Sequence, residues 1–145
     1  MKDLSIPELT EHPALDIALD TVKINKQALI FCNTRRSAES TAEKLAKKID
    51  FKTEELEKLA DEILKVLSVP TKQCRRLALC VRKGMSFHHA GLAAKQRKLV
   101  EDNFRKGLIR VIASTPTLAF GLNLPAFRAI IKDLRRYTMH GLTWI

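Results

Sequence analysis

Apolar positions along this chain follow two rhythms: short unbroken runs, and longer stretches where they return every three or four places. "QALIFCN" (residues 27–33) is a run of the first kind that ends in turn formers, and it reads as a buried strand. "RRSAESTAEKLAKKI" follows with helical spacing, and Asn33 or Thr34 can cap that helix. Between residues 54 and 67, Leu56, Leu59, Ile63 and Leu67 recur at helical spacing among acids and lysines. "TKQCRRLALCVRKG" repeats the pattern with Cys74, Leu77 and Val81 before Gly84. These two helices read as an insertion over about residues 52–83. "GMSFHHAGL" then offers a short strand into a glycine turn, and "AAKQRKLVEDNFRKG" a helix closed by Gly107. "LIRVIAS" is a further apolar strand and "FRAIIKDL" a fourth. Before Gln27 the one signal is a helix after Pro13.

Strands separated by helical segments of this length require crossover connections, so the expected fold is α/β, a mostly parallel sheet with helices on its faces. Ligands gather at the carboxyl ends of the strands in such sheets. The informative residues are therefore those directly after each strand: 33–36, 88–92 and 114–123.

The third of these stretches, "STPTLAFGLNLP", has a physical reading of its own. Ser114 or Thr115 can act as an N-cap, and Pro116 suits a first helical position because its missing N–H is not needed there. The free N–H groups of such a turn form an anion site that fits a phosphate. Thr115 and Thr117 add hydroxyl donors, and Gly121 lets the chain leave the short helix close to whatever is bound. An ordinary capped turn explains the same residues, so the stretch alone leaves both readings open.

Composition narrows the partners. The 145 residues suit one domain and carry 26 Lys and Arg against 16 Asp and Glu, a formal net charge of +10. That excess favours a polyanion, nucleic acid first, although a solvated basic surface accounts for it equally. Cys32, Cys74 and Cys80 are odd in number and form no C-x-x-C pair, which points away from a disulfide framework or a zinc site and towards a reducing interior. The N-terminal "MKDLSIPELTEHPALDIAL" carries acids where a signal peptide has its apolar core, and no apolar run approaches the roughly 18 residues of a membrane span. A soluble, cytoplasmic protein without membrane contact is expected.

"ALIFCNTRRSAESTAEKLA", "RRLALCVRKGMSFHHAGLAAKQRKLVEDNFRKGLIRVIASTPTLAFGLNLPA" and "FRAIIKDLRRYT" together resemble the second RecA-like domain of superfamily 2 helicases. The resemblance is to the Ski-like branch, and most of all to the Hjm-type archaeal DNA helicases. It covers nearly the whole chain from about Gln27, which makes residues 1–26 a lead-in helix or linker and 27–145 the helicase domain. "FHHAGL" and "TPTLAFGLNLPA" are specific to that branch; "ALIF" followed by a polar turn is shared by many helicases.

The resemblance implies site residues. "LIFCNTRR" takes the place of motif IV, whose turn touches the sugar-phosphate backbone of the tracking strand, and this implicates Asn33, Thr34 and Arg35. Arg35 and Arg36 also sit against the dipole of a helix N-terminus, which leans modestly towards an anionic partner. "HHAGL" with Gln96 and Arg97 resembles a motif that packs beside nucleic acid, and implicates His89 and Gly91. The sequence around His88 and His89 offers no acid, cysteine or further histidine, so a metal is not expected there. "STPTLAFGLNLP" matches motif V: Thr115 and Thr117 fall on the nucleic-acid side, Gly121 and Asn123 on the nucleotide side.

No G-x-x-x-x-G-K-[ST] loop and no D-E-x-H box occurs, and the chain stops before a Q-x-x-G-R-x-G-R motif. A fragment truncated before motif VI is expected, one that does not hydrolyse ATP alone and relies on a first RecA-like domain to hold most of the ATP and Mg²⁺. The family's β-hairpin between motifs V and VI, which splits the duplex, would begin in "LRRYTMHGLTWI", or Trp144 there would instead mediate self-association. The resemblance implies a translocating, duplex-unwinding ATPase of DNA repair or replication restart, acting 3′ to 5′ on DNA, with RNA as the other substrate of the branch. The competing classes are a nucleic-acid-binding module without catalysis and a flavodoxin-like regulator, for which the motif matches would be coincidence.

Overall fold

In the computed structural model, residues 13–116, 126 and 128–132 are described. The first helix, α1 (Pro13–Lys23), starts on a proline and buries Leu15, Ala18, Leu19 and Val22, one stripe at i, i+3, i+4 and i+7. β1 (Ala28–Phe31) follows, then α2 (Arg35–Lys48), α3 (Glu54–Lys65) and α4 (Lys72–Arg82). β2 (Met85–His88), α5 (Ala94–Arg105), β3 (Val111–Ser114) and β4 (Arg128–Ile131) complete the order.

The four strands form one sheet in the order β2-β3-β1-β4, every pair parallel. Helices cover it, which is why β2 and β3 are buried along their whole length and read as unbroken apolar runs rather than alternating ones. α1 lies against β1 and β4, and α2 against β2 and β3. The segment expected as a lead-in is thus helical over 13–23 and shares the core of the strands. Arg128 of β4 donates to Asp20 of α1 at 2.8 Å and fixes that contact.

Between β1 and β2 the helices start on threonine caps: Thr34 Oγ1 accepts from the Ser37 N–H at 3.0 Å, Thr53 from Leu56 at 3.1 Å and Thr71 from Cys74 at 3.2 Å. Leu56, Leu59 and Ile63 form the buried stripe of α3, whereas Leu67 falls past its C-cap, Val66. α4 packs on α3, α2 and β2, and Leu77, Ala78, Cys80 and Val81 join the central core. Gly84 and Gly107 leave α4 and α5 at φ +78° and +85°, conformations that favour glycine.

Candidate nucleic-acid interface

Because the strands are parallel and in register, their carboxyl ends finish level: Phe31 pairs with Ser114, and Ser114 with His88. The residues after each strand therefore meet at one edge. The Cys32 N–H donates to Ser114 O at 2.7 Å and the Thr115 N–H to His88 O at 3.3 Å, so pairing continues just past the strands. β3 lies between β2 and β1, which puts Thr115 between the turn after His88 and the turn after Phe31.

After β1, Asn33 is half-buried and Thr34, Arg35 and Arg36 are exposed. Of the two capping candidates, Thr34 is the one whose side chain bonds the first turn of α2. Its oxygen accepts in that bond, which leaves the hydroxyl hydrogen as a donor. Two guanidinium groups and a helix N-terminus thus stand together, a combination suited to an anion.

After β2 the turn is built differently. His89 is wholly buried, stacked on Phe87 with ring centroids 5.7 Å apart. Its Nε2 lies 2.7 Å from Glu39 Oε2, and its Nδ1 accepts from the Gly91 N–H at 3.0 Å. His89, expected on the nucleic-acid side, is thus a ring with no exposed surface and with both nitrogens engaged within the fold. Gly91 is exposed, and a Cβ placed there would lie 3.4 Å from Arg35 Nη1, so the two turns adjoin. Arg97 Nη1 donates to Ala90 O and Leu92 O at 3.1 and 2.9 Å, fastening the turn from α5. Gln96 is buried and ties α5 to Ile63 O and Cys74 Sγ.

The two histidines face opposite ways, as alternation along an extended chain requires. His88 Nε2 meets Glu101 of α5 at 2.6 Å, while His89 turns to Glu39 of α2. Acids absent from the local sequence are thus supplied by the fold. Burial pushes the His88 pKa down, partly offset by Glu101, and its Nδ1 is buried with no partner among the described residues. Among those residues there is no group of three His, Cys, Asp or Glu placed to hold a metal ion.

Sequence reasoning passed over Glu39. Its Oε2 also accepts from Gln73 at 2.8 Å and its Oε1 from Arg76 at 2.7 Å, while Arg76 grips Glu43 through two nitrogens at 2.8 and 2.7 Å. Burial alone would raise the Glu39 pKa, but the hydrogen bonds from His89 and Gln73 and the charge of Arg76 outweigh it and hold the group below its ordinary value. Glu43 is held down chiefly by its hydrogen bonds to Arg76. A signal was present: Glu39 falls within the apolar stripe of Ala38, Ala42, Leu45 and Ala46, where an unpaired acid would be costly.

Thr117, Gly121, Asn123 and the 134–145 segment lie outside the described residues. The described residues include no helix long and apolar enough to cross a membrane.

The family described as "Helicase conserved C-terminal domain" matches residues 61–138, more than half of the chain. The chain is 43% identical over 141 residues to the ATP-dependent DNA helicase Hel308 of Methanococcus vannielii, covering 95% of this chain and 19% of that protein. It is 47% identical over 129 residues to the protein of the same name from Pyrococcus abyssi, covering 88% of this chain and 18% of the relative. For that of Methanocella arvoryzae the identity is 45% over 129 residues, with 86% and 17% covered. The chain thus spans less than a fifth of the length of these relatives. These findings agree with the helicase resemblance carried by the motifs and with the α/β RecA-like fold.

Proposed function

This chain belongs to the helicase conserved C-terminal domain family, and on that premise we propose that it is the second motor domain of an ATP-dependent DNA helicase. In this reading the parent protein translocates 3′ to 5′ along a single strand and unwinds duplexes in repair or replication restart. The observation that carries it is the shared edge: the turns after β1, β2 and β3 meet around Thr115, with Arg35 beside Gly91. Thr34, Arg35, Gly91 and Thr115 form the grip on the strand, with Asn33 and Thr117 beside them, and His89 positions the second turn. The relatives are named DNA helicases, which favours DNA over RNA. We take the helicase domain as residues 27–145, with its helical insertion at about 52–83 and α1 packed into the same core ahead of it.

The relatives' names also carry ATP dependence, and we place the nucleotide against Gly121 and Asn123, across a cleft from a first RecA-like domain. We assign Mg²⁺ and most of the ATP contacts to that other domain, because the sequence here carries no G-x-x-x-x-G-K-[ST] loop and no D-E-x-H box. The bound nucleotide would supply the energy of strand movement. The chain by itself therefore does not hydrolyse ATP, and it works inside the cell, away from membranes.

The test is a salt titration of single-strand binding by the intact parent protein. Phosphate contacts predict a log-log slope of about −0.7 for each phosphate neutralised. A flat response from low to moderate salt overturns the reading in favour of a basic surface without a partner.

A further inference from the structure

We infer that Glu39 is a positioning residue for the strand grip, acting through His89 on the turn at Gly91. The inference rests on the nucleic-acid reading of the carboxyl edge. It starts from the direction of two hydrogen bonds. The Gly91 amide is a donor, so His89 Nδ1 must present its lone pair to it at 3.0 Å. The ring proton then sits on Nε2 and is donated to the Glu39 carboxylate at 2.7 Å. One carboxylate thereby sets the tautomer that holds an exposed backbone turn.

Glu39 is well placed for this. It lies four residues after Arg35 and so on the same face of α2, beneath the point where Arg35 and Gly91 adjoin. Gln73 and Arg76 hold the carboxylate from α4, so it has little freedom to turn away. The turn is then fastened from two sides, by Arg97 on α5 and by the Glu39–His89 pair on α2. If Glu39 is replaced by the isosteric amide with its nitrogen facing the ring, two donors confront each other. The proton must then move to Nδ1, where it opposes the Gly91 N–H.

The test uses the intact parent protein, a fluorescent oligothymidylate strand, and the variants Glu39→Gln, His89→Asn and their double. Asparagine keeps an acceptor at the Nδ1 position for the Gly91 N–H but cannot reach Glu39. On the inference, Glu39→Gln weakens strand affinity per folded molecule about fivefold in the wild-type background, as loss of one hydrogen bond does. In the His89→Asn background it weakens affinity less than about twofold, because the link is already cut. The same loss in both backgrounds means that Glu39 acts through Gln73 and Arg76 as ordinary structure, and overturns the inference. No loss in the wild-type background overturns it as well. Nitrogen-15 spectra of the His89 ring add a readout independent of binding: an Nε2–H tautomer in the wild type is expected, and an Nδ1–H or doubly protonated ring sinks the idea. Wild-type protein that binds no strand refutes the functional reading, and the ring spectra then still decide whether Glu39 sets His89.

Discussion

The two edges of the sheet use their polar groups in opposite ways. At the amino edge the groups close on the fold itself: Gln27 Nε2 donates to Phe104 O at 2.5 Å and Ile109 O at 2.8 Å, and the Arg110 N–H to Gly84 O at 2.7 Å. At the carboxyl edge the internal bonds lie one layer down, in His89, Glu39 and Arg76. Above them Thr34, Arg35, Arg36 and Gly91 are exposed. Among the described residues neither Arg35 nor Arg36 has an ion-pair partner, whereas Arg76, Arg82, Arg105 and Arg128 do. One edge is sealed to hold strands together, and the other is scaffolded to present groups outwards.

The largest effect that sharpens this contrast comes from the sealed edge. Gln27→Leu leaves the carbonyls of Phe104 and Ile109 without their donor, and a denaturant titration should show a loss of about 2 kcal/mol. Strand affinity per folded molecule should not move; a parallel loss would break the contrast.

Gly91→Ala comes next. A Cβ there would stand 2.9 Å from the His89 ring, which is fully buried and cannot retreat. Strand binding by the parent protein should weaken about tenfold, or about 1.4 kcal/mol, and unchanged affinity would remove this turn from the grip.

Thr115→Val keeps the β-branch and deletes one hydroxyl, so titration with a single strand should show a loss of about 1 kcal/mol. The thermal melt of the same preparation separates the two readings of that residue. A drop of several degrees with unaltered affinity makes Thr115 a structural cap.

The smallest effect is in pH. The folded pKa of His88 lies below its ordinary 6.5, so below pH 6.5 the unfolded chain binds more protons than the folded one. Stability should therefore fall as pH drops through 6.5, and continue to fall below 4.5 as Glu39 and Glu43, held beneath that value, are protonated. Melts of His88→Gln should lose the first part of this decline and keep the second.

Why the sequence disclosed so much of the fold follows from how the strands are buried. "ALIF" and "VIAS" are covered on two faces and so appear as apolar runs, and the threonines at 34, 53 and 71 precede helices whose first turn they cap. The edge that carries the candidate site follows from parallel order alone. What stayed hidden was the direction of side chains. His89 follows β2 at the carboxyl edge but faces inwards, and its partner Glu39 is 50 residues away in sequence, a contact that only the packing of α2 against β2 creates. Leu67 continued a helical period that ended two residues earlier, at Lys65, because periodicity does not mark where a helix stops.

The order β2-β3-β1-β4 also bears on the history of the chain as it is made. β1 and β2 are synthesised before β3, yet neither pairs with the other; each waits for residues 111–114 to enter between them. A nascent chain that has emerged only as far as α5 holds two orphan strands with open hydrogen-bonding edges, the kind of surface that chaperones cover and that aggregates when left bare. Insertion of β3 joins them and, in the same step, carries Thr115 into place between the two turns. The carboxyl edge is thus assembled in the step that joins β1, β3 and β2.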